Sequence, residues 1–171
     1  MKVCSLKRYV EAFRALPDAS QPISLHFSRP WHFNHTFREP IEFAKDSGIY
    51  IYTCPANPWD LALDQNAQDI WYIGMSDGGL AGRVWAHVGA IYDPPGSGVL
   101  CNPRFKYHQW TTVETVSDQI KTAIAIGNLV VYTIKVEAIG SAPGLAQALE
   151  KFLLACCFRV DGKLPPLNID L

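Results

Sequence analysis

Two short segments rich in β-branched and aromatic residues lie close together in the chain, and their spacing restricts the fold more than any other feature. Residues 48–54 (GIYIYTC) and residues 69–74 (DIWYIG) have a composition typical of β-strands and are bounded by turn-forming residues. The connection at residues 55–68 is polar and proline-bearing, without the pattern of a full crossover helix. The two strands are therefore predicted to pair antiparallel.

Helical periodicity is found on both sides of this strand pair. Residues 6–16 place apolar side chains at helical spacing, and residues 80–88, 113–126 and 145–158 give three further predicted helices. Residues 129–136 (LVVYTIKV) predict a third strand. This order predicts an α+β fold with a layered α/β arrangement, in which a small central three-stranded, mainly antiparallel sheet is flanked by helices.

The size of the chain is suited to one compact core, because it has 171 residues of which 49% are apolar. Residues 1–45 are predicted to form an N-terminal extension, made of a helix and an extended segment at residues 21–41 that follows the surface or the sheet edge. Residues 46–171 are predicted to hold the functional domain. No apolar run approaches the ~18 residues of a membrane helix, so a cytoplasmic protein without membrane contact is expected.

The cysteines do not predict a disulfide framework. Their number is odd and no CxxC spacing occurs, so reduced, mostly buried thiols are expected. The residues concerned are Cys4, Cys54, Cys101, Cys156 and Cys157. A zinc site that also uses His32 and His35 is the alternative interpretation.

The net charge of −1 argues against a nucleic-acid partner, since phosphate neutralisation supplies much of such binding. The distribution of charge weakens this objection. Residues 1–45 hold seven Lys or Arg against four acidic residues, whereas residues 46–100 hold only Arg83 against six aspartates. A basic surface near the N-terminal extension is therefore compatible with phosphate binding.

A set of motifs occurs in a defined order along the predicted elements. The two strands carry GIY at residues 48–50 and YIG at residues 72–74. Arg83 and His87 follow on the next predicted helix, where the i,i+4 spacing puts them on one face, and Glu150 lies in the last predicted helix. In this order the motifs resemble the GIY-YIG nuclease superfamily, and the Arg-x-x-x-His spacing resembles its restriction-endonuclease branch.

The resemblance extends over residues 46–170 and implies the GIY-YIG endonuclease fold and metal-dependent hydrolysis of phosphodiester bonds in DNA. The site residues that it implies are Tyr50, Tyr72, Arg83, His87, Glu150 and Asn168. Glu150 is expected to hold Mg²⁺ or Mn²⁺, ions that accept oxygen ligands and retain several waters. Asn168 matches the asparagine that ends the family pattern, and capping of the tail is its alternative role.

The resemblance also implies a role for each side chain. Arg83 is expected to stabilise the negative charge that develops on the phosphate, and Tyr72 to orient water or phosphate. Tyr50 is expected to be the general base, with its pKa lowered by Arg83 and the metal. His87 is a rival base, because free imidazole titrates near pH ~6.5, although Arg83 should lower its pKa.

Residues 102–110 (NPRFKYHQW) alternate basic and aromatic side chains, a composition suited to phosphate contact and base stacking. Arg104, Lys106, His108 and Trp110 are the candidate nucleic-acid-binding residues, with an ordinary exposed strand or loop as the alternative. DNA is favoured over RNA as the partner, and a homodimer would let one site per chain cut both strands. A catalytically inactive nucleic-acid or protein-binding module and an RNA-directed nuclease are the other functional hypotheses.

Overall fold

The computed structural model describes residues 1–15, 23–33, 42–54, 68–92, 118, 122–123, 126, 128–138 and 144–168. In these ranges the elements are α1 Val3–Arg14, β1 Ile23–Phe27, β2 Trp31–Phe33, β3 Gly48–Cys54, β4 Asp69–Ser76, α2 Leu80–Tyr92, β5 Leu129–Ala138 and α3 Leu145–Asp161. The helix predicted at residues 113–126 lies largely outside them.

The strands form one antiparallel sheet in the order β1-β5-β3-β4, and β2 also pairs with β5. The predicted α+β class and the antiparallel pairing of β3 with β4 are confirmed. The predicted number of three strands is wrong, because β1 and β2 pair with the side of β5 that β3 leaves free. The domain boundary at residue 45 stays a prediction, although strands from both sides of it share this sheet.

Side-chain alternation along β3 divides the core into two layers. Ile49 and Ile51 point into an apolar cluster with residues of α1 and α3. Tyr50 and Tyr52 point to the opposite face, where Leu80 and other residues of α2 pack against them. The sheet therefore lies between α2 on one face and the pair α1 and α3 on the other.

The outer edge of β4 is covered by the two ends of the described chain. Ile70 N–H donates to the carbonyl of Met1, and Leu167 N–H donates to the carbonyl of Trp71 at 2.9 Å. The side-chain amide of Asn168 continues this pairing at Ile73. These contacts satisfy backbone groups that an edge strand would otherwise present to water.

The described thiols agree with the prediction of reduced cysteines. Cys54 and Cys157 are buried, Cys156 is half-buried, and all three carry reduced thiols. The side chain of Cys4 and residue Cys101 lie outside the described part of the chain. Each helix within the described ranges is too short or too polar to cross a bilayer.

Gly48 is required by the close pairing of β3 with β5. A Cβ atom at this position would lie 2.1 Å from the carbonyl oxygen of Ile134, which is a backbone atom that cannot move aside without disturbing the sheet. Gly82, on α2, has open space where its Cβ would be. Replacing each glycine by alanine therefore compares a crowded position with an open one.

We expect Gly48→Ala to lower the free energy of unfolding by about 1–3 kcal/mol, because the added methyl group forces the strands apart. Gly82→Ala should raise it by roughly 0.5–1 kcal/mol, because alanine loses less backbone entropy in a helix. Urea denaturation followed by circular dichroism measures both values. Equal stability of Gly48→Ala and the unsubstituted protein would contradict the strand pairing described above.

Candidate active site

The register of β3 against β4 places three tyrosines on one face of the sheet. Tyr52 lies opposite Tyr72, and Tyr50 lies opposite Gly74. Because residues two apart in a strand share a face, Tyr50 and Tyr52 both point toward α2. The strand pairing alone thus brings together the tyrosines of the GIY and YIG motifs.

His87, on α2, completes a compact cluster of four rings. We call the side chains of Tyr50, Tyr52, Tyr72 and His87 the four-ring cluster. All of its ring centroids are 5.2 to 5.9 Å apart. Tyr50 is 1% exposed, Tyr52 is 0% exposed and His87 is 2% exposed, so only Tyr72, which is half-buried, opens the cluster toward the surface.

Gly74 has a steric role in this cluster. A Cβ atom on Gly74 would lie 2.5 Å from both Cζ and the hydroxyl oxygen of Tyr50, and 2.7 Å from Cε1 of Tyr72. The Tyr50 ring therefore passes across the backbone of Gly74. The glycine of the YIG motif is what leaves room for the tyrosine of the GIY motif.

Arg83 and Glu150 supply the charges beside the four-ring cluster. Arg83 is exposed on α2, one turn before His87, and its guanidinium forms a hydrogen bond with Tyr50. Glu150 is half-buried on α3, and its carboxylate interacts electrostatically with both Tyr72 and Arg83. Burial raises the pKa of Glu150, whereas the positive charges of Lys151 and Arg83 oppose that rise.

The phenols of the site keep their protons more strongly than free tyrosine does. Burial is the largest cause of the raised pKa of Tyr50, the negative charge of an ionised Tyr72 adds to it, and Arg83 opposes it. The pKa of Tyr72 is also raised, chiefly by burial. Arg83 acts on the pKa of Tyr50 in the expected direction, but in the protein without a metal desolvation outweighs this attraction, so the pKa is raised.

His87 is a neutral imidazole over the whole physiological range. Burial, and then the positive charge of Arg83, lower its pKa to about 3. The predicted direction of this shift is confirmed, but burial is a larger cause than Arg83. A histidine with such a pKa forms hydrogen bonds as a donor and an acceptor, whereas its capacity to hold an extra proton near pH 7 is small.

Asn168 is placed on the backbone of the YIG motif. Its Oδ1 accepts a hydrogen bond from Ile73 N–H at 2.9 Å, and its Nδ2 donates to the Ile73 carbonyl at 2.8 Å. This is the tail-fixing role that was the alternative to a phosphate contact. Asn168 therefore acts on the site by holding β4, which carries Tyr72.

The structure brings Tyr50, Tyr72, Arg83 and His87 to one place, with Glu150 in electrostatic range of Tyr72 and Arg83, and adds another residue that the sequence analysis missed. Tyr52 belongs to the four-ring cluster, and the repeated tyrosine of GIYIY, two residues apart in a strand, was the signal for it. Arg104, Lys106, His108 and Trp110 lie outside the described residues, as does His35. The side chain of His32 is likewise not described.

The donor set fits a magnesium ion with one protein ligand. Among the described residues no group of three or more His, Cys, Asp or Glu side chains is arranged to enclose a metal. Glu150 offers a single carboxylate that interacts electrostatically with Arg83 and Tyr72. Mg²⁺ keeps several waters and is often held by one or two carboxylates together with substrate phosphate, so this site is compatible with it.

Comparison of the chain with known proteins identifies no relative from which a function could be inferred. No protein-family model, curated protein or solved structure matches the chain.

We expect the protein to become less stable as the pH falls from 7 to 5. The folded-state pKa of His87, about 3, lies below its ordinary value of 6.5, so the unfolded chain takes up a proton that the native state does not. The contribution of His87 is therefore complete above pH 6.5 and is lost as the pH falls toward 3. Linkage gives a loss of about 2 kcal/mol between pH 7 and pH 5.

Urea denaturation at pH 7, 6 and 5 measures this dependence. His87→Gln, which does not titrate, should remove most of the slope, whereas His26→Gln at an exposed position of β1 should retain it. Equal slopes for the His87→Gln variant and the unsubstituted protein would refute the burial of a neutral imidazole.

Proposed function

We propose that this protein is a metal-dependent endonuclease of the GIY-YIG superfamily that hydrolyses phosphodiester bonds in DNA. The observation that carries the proposal is the convergence of Tyr50, Tyr72, Arg83 and His87, from β3, β4 and α2, with the carboxylate of Glu150 on α3 in electrostatic range of Tyr72 and Arg83. These are the residues that the motif resemblance selects, and their meeting requires a specific sheet register. The GIY-YIG fold itself is part of this proposal.

Arg83 is suited to bind the scissile phosphate. Its guanidinium is exposed and lies beside the Tyr50 hydroxyl, so a phosphate bound there would also be close to the proposed base. The planar fork of donors can contact two phosphoryl oxygens and stabilise the charge that grows on them as water attacks. Glu150 would hold Mg²⁺, which supplies positive charge for the phosphoryl oxygens and the departing 3′ oxygen when it is bound.

Tyr50 would take the proton from the attacking water. As the water oxygen bonds to phosphorus and the bond to the 3′ oxygen breaks, this proton moves to the Tyr50 oxygen. The phenolate needed for that step is unfavourable in the buried site, and the guanidinium of Arg83 is the protein group that opposes this cost. Tyr72, at the open side of the four-ring cluster, can orient the water by its hydroxyl.

One observation favours a second candidate function, a nucleic-acid-binding module without turnover. Burial holds Tyr50 in its protonated form, and a phenol that never ionises cannot act as a base. Such a module would retain phosphate binding at Arg83. Salt-dependent binding of DNA without cleavage in Mg²⁺ or Mn²⁺ would favour this candidate.

We expect the purified protein to nick or linearise plasmid DNA in the presence of Mg²⁺. Arg83→Ala should lower the rate by about 10²–10³-fold, because it removes a donor that stabilises charge in the transition state. Glu150→Gln should cause a loss of similar size through metal binding. Gel electrophoresis of timed samples, with a single-stranded RNA substrate in parallel, measures the activity.

Arg8→Ala and Glu11→Gln, at exposed positions of α1, are the matched controls and should cleave at an unchanged rate. If the protein cleaves RNA but not DNA, the substrate class is RNA. If no nucleic acid is cut with either metal, or if the Arg83 and Glu150 variants cut as fast as their controls, the proposed activity is wrong.

The identity of the base should be visible in the dependence of the cleavage rate on pH. If Tyr50 is the base, the rate should rise about tenfold per pH unit from pH 6 to 8, because the phenolate fraction rises in this proportion below the pKa. Base catalysis by His87, whose pKa is about 3, would give a rate independent of pH in this range.

Tyr50→Phe should lower the rate by about 10²–10⁴-fold and abolish the pH dependence. Tyr9→Phe on α1 is the matched control and should leave both unchanged. A flat profile for the unsubstituted protein, or substantial turnover of Tyr50→Phe, would exclude Tyr50 as the base.

A further inference from the structure

Tyr52 is the tyrosine of the four-ring cluster that the proposed mechanism leaves without a role. It is fully buried on β3, directly opposite Tyr72, and it shares the face of Tyr50. Its hydroxyl oxygen lies 2.9 Å from Nδ1 of His87, an ordinary hydrogen-bond distance. A buried phenol aimed at an imidazole nitrogen of the candidate site requires an explanation beyond packing.

The imidazole of His87 lies between two phenol oxygens. Nδ1 faces Tyr52, and Nε2 lies 3.5 Å from the hydroxyl oxygen of Tyr50, at the outer limit for a hydrogen bond. A neutral imidazole carries one N–H, so one of its nitrogens donates and the other accepts. The position of that hydrogen determines whether His87 donates a hydrogen bond to Tyr50 or accepts one from it.

The two distances decide between the tautomers. Toward a neutral imidazole, a phenol is a better hydrogen-bond donor than acceptor, because the unprotonated imidazole nitrogen is the stronger base of the two groups. The 2.9 Å contact therefore has Tyr52 as the donor and Nδ1 as the acceptor, whereas Nε2, 3.5 Å from the Tyr50 oxygen, carries the hydrogen. Tyr50 then meets His87 as an acceptor.

We infer that Tyr52 is a positioning residue, which donates its hydroxyl hydrogen to Nδ1 of His87 and thereby directs the Nε2–H of the imidazole toward the Tyr50 oxygen. The tautomer follows from the contacts among the rings and does not depend on any activity. Its effect on turnover rests on the proposed nuclease function.

This arrangement makes His87 a neutral donor to Tyr50 and not a base. When Tyr50 loses its proton, the phenolate oxygen accepts hydrogen bonds from Nε2–H and from Arg83, and no proton passes to or from the imidazole. A neutral donor stabilises the Tyr50 phenolate without placing a second positive charge beside Arg83. Hydrogen bonds to the charged form of a group lower its pKa, so Tyr52 would favour the phenolate through His87.

Nitrogen-15 NMR of the full chain at pH 7, without substrate, tests the tautomer directly. Two-bond correlations from the ring hydrogens of His87 should identify Nε2 as protonated and Nδ1 as an unprotonated acceptor. In Tyr52→Phe, the Nδ1 resonance should move toward the position of a nitrogen without a hydrogen bond, whereas Tyr9→Phe should leave it unchanged. A protonated Nδ1 in the unsubstituted protein, or an unshifted Nδ1 in Tyr52→Phe, would overturn the inference.

Cleavage kinetics provide the second measurement. Tyr52→Phe should lower kcat about tenfold with little change in KM and move the rise of the pH–rate profile to higher pH, effects that lost packing alone would not produce. A changed KM with an unmoved pH profile would assign Tyr52 a structural role only. If the protein cleaves no nucleic acid, the nuclease proposal fails while the NMR result still decides the tautomer.

Discussion

The pairing of β3 with β4 in a single register is the interaction on which the rest of the site depends. It puts Tyr52 beside Tyr72 and puts Tyr50 across Gly74, where a side chain larger than hydrogen would occupy the position of the Tyr50 hydroxyl. A shift of one residue would turn the tyrosines of one strand to the opposite face, among the isoleucines that contact α1 and α3. Gly48 allows the backbone of β5 to approach β3 in the same way. The glycines of the two motifs therefore permit this register because a larger side chain at either position would clash.

Burial determines the protonation states of the side chains that this register brings together. Removing Tyr50 and His87 from water makes the charged form of each unfavourable, so at neutral pH the cluster consists of neutral rings beside the charges of Arg83 and Glu150. Any ionisation of Tyr50 must then be supported by nearby positive charge and by hydrogen bonds. In the proposed nuclease, the charges of the substrate and the metal would have to change this balance before Tyr50 could act as a base.

Local sequence patterns predicted the parts of the fold that depend on local order. β3, β4 and β5 are contiguous runs of branched and aromatic residues, and Arg83 and His87 share a helix face, so each was accessible from periodicity. β1 and β2 were predicted only as an extended segment, because their strand identity depends on pairing with the distant β5. The role of Tyr52 and the pKa direction of Tyr50 depend on ring contacts and burial, which no spacing along the chain specifies.

The cover over the outer edge of β4 has a consequence for how copies of this protein can meet. Met1, Leu167 and the amide of Asn168 occupy backbone groups through which a second sheet could extend from this strand. An edge closed in this way resists the strand-to-strand stacking that leads to fibres. Extension of the sheet at β4 by a second copy would require Met1, Leu167 and Asn168 to give up these hydrogen bonds first.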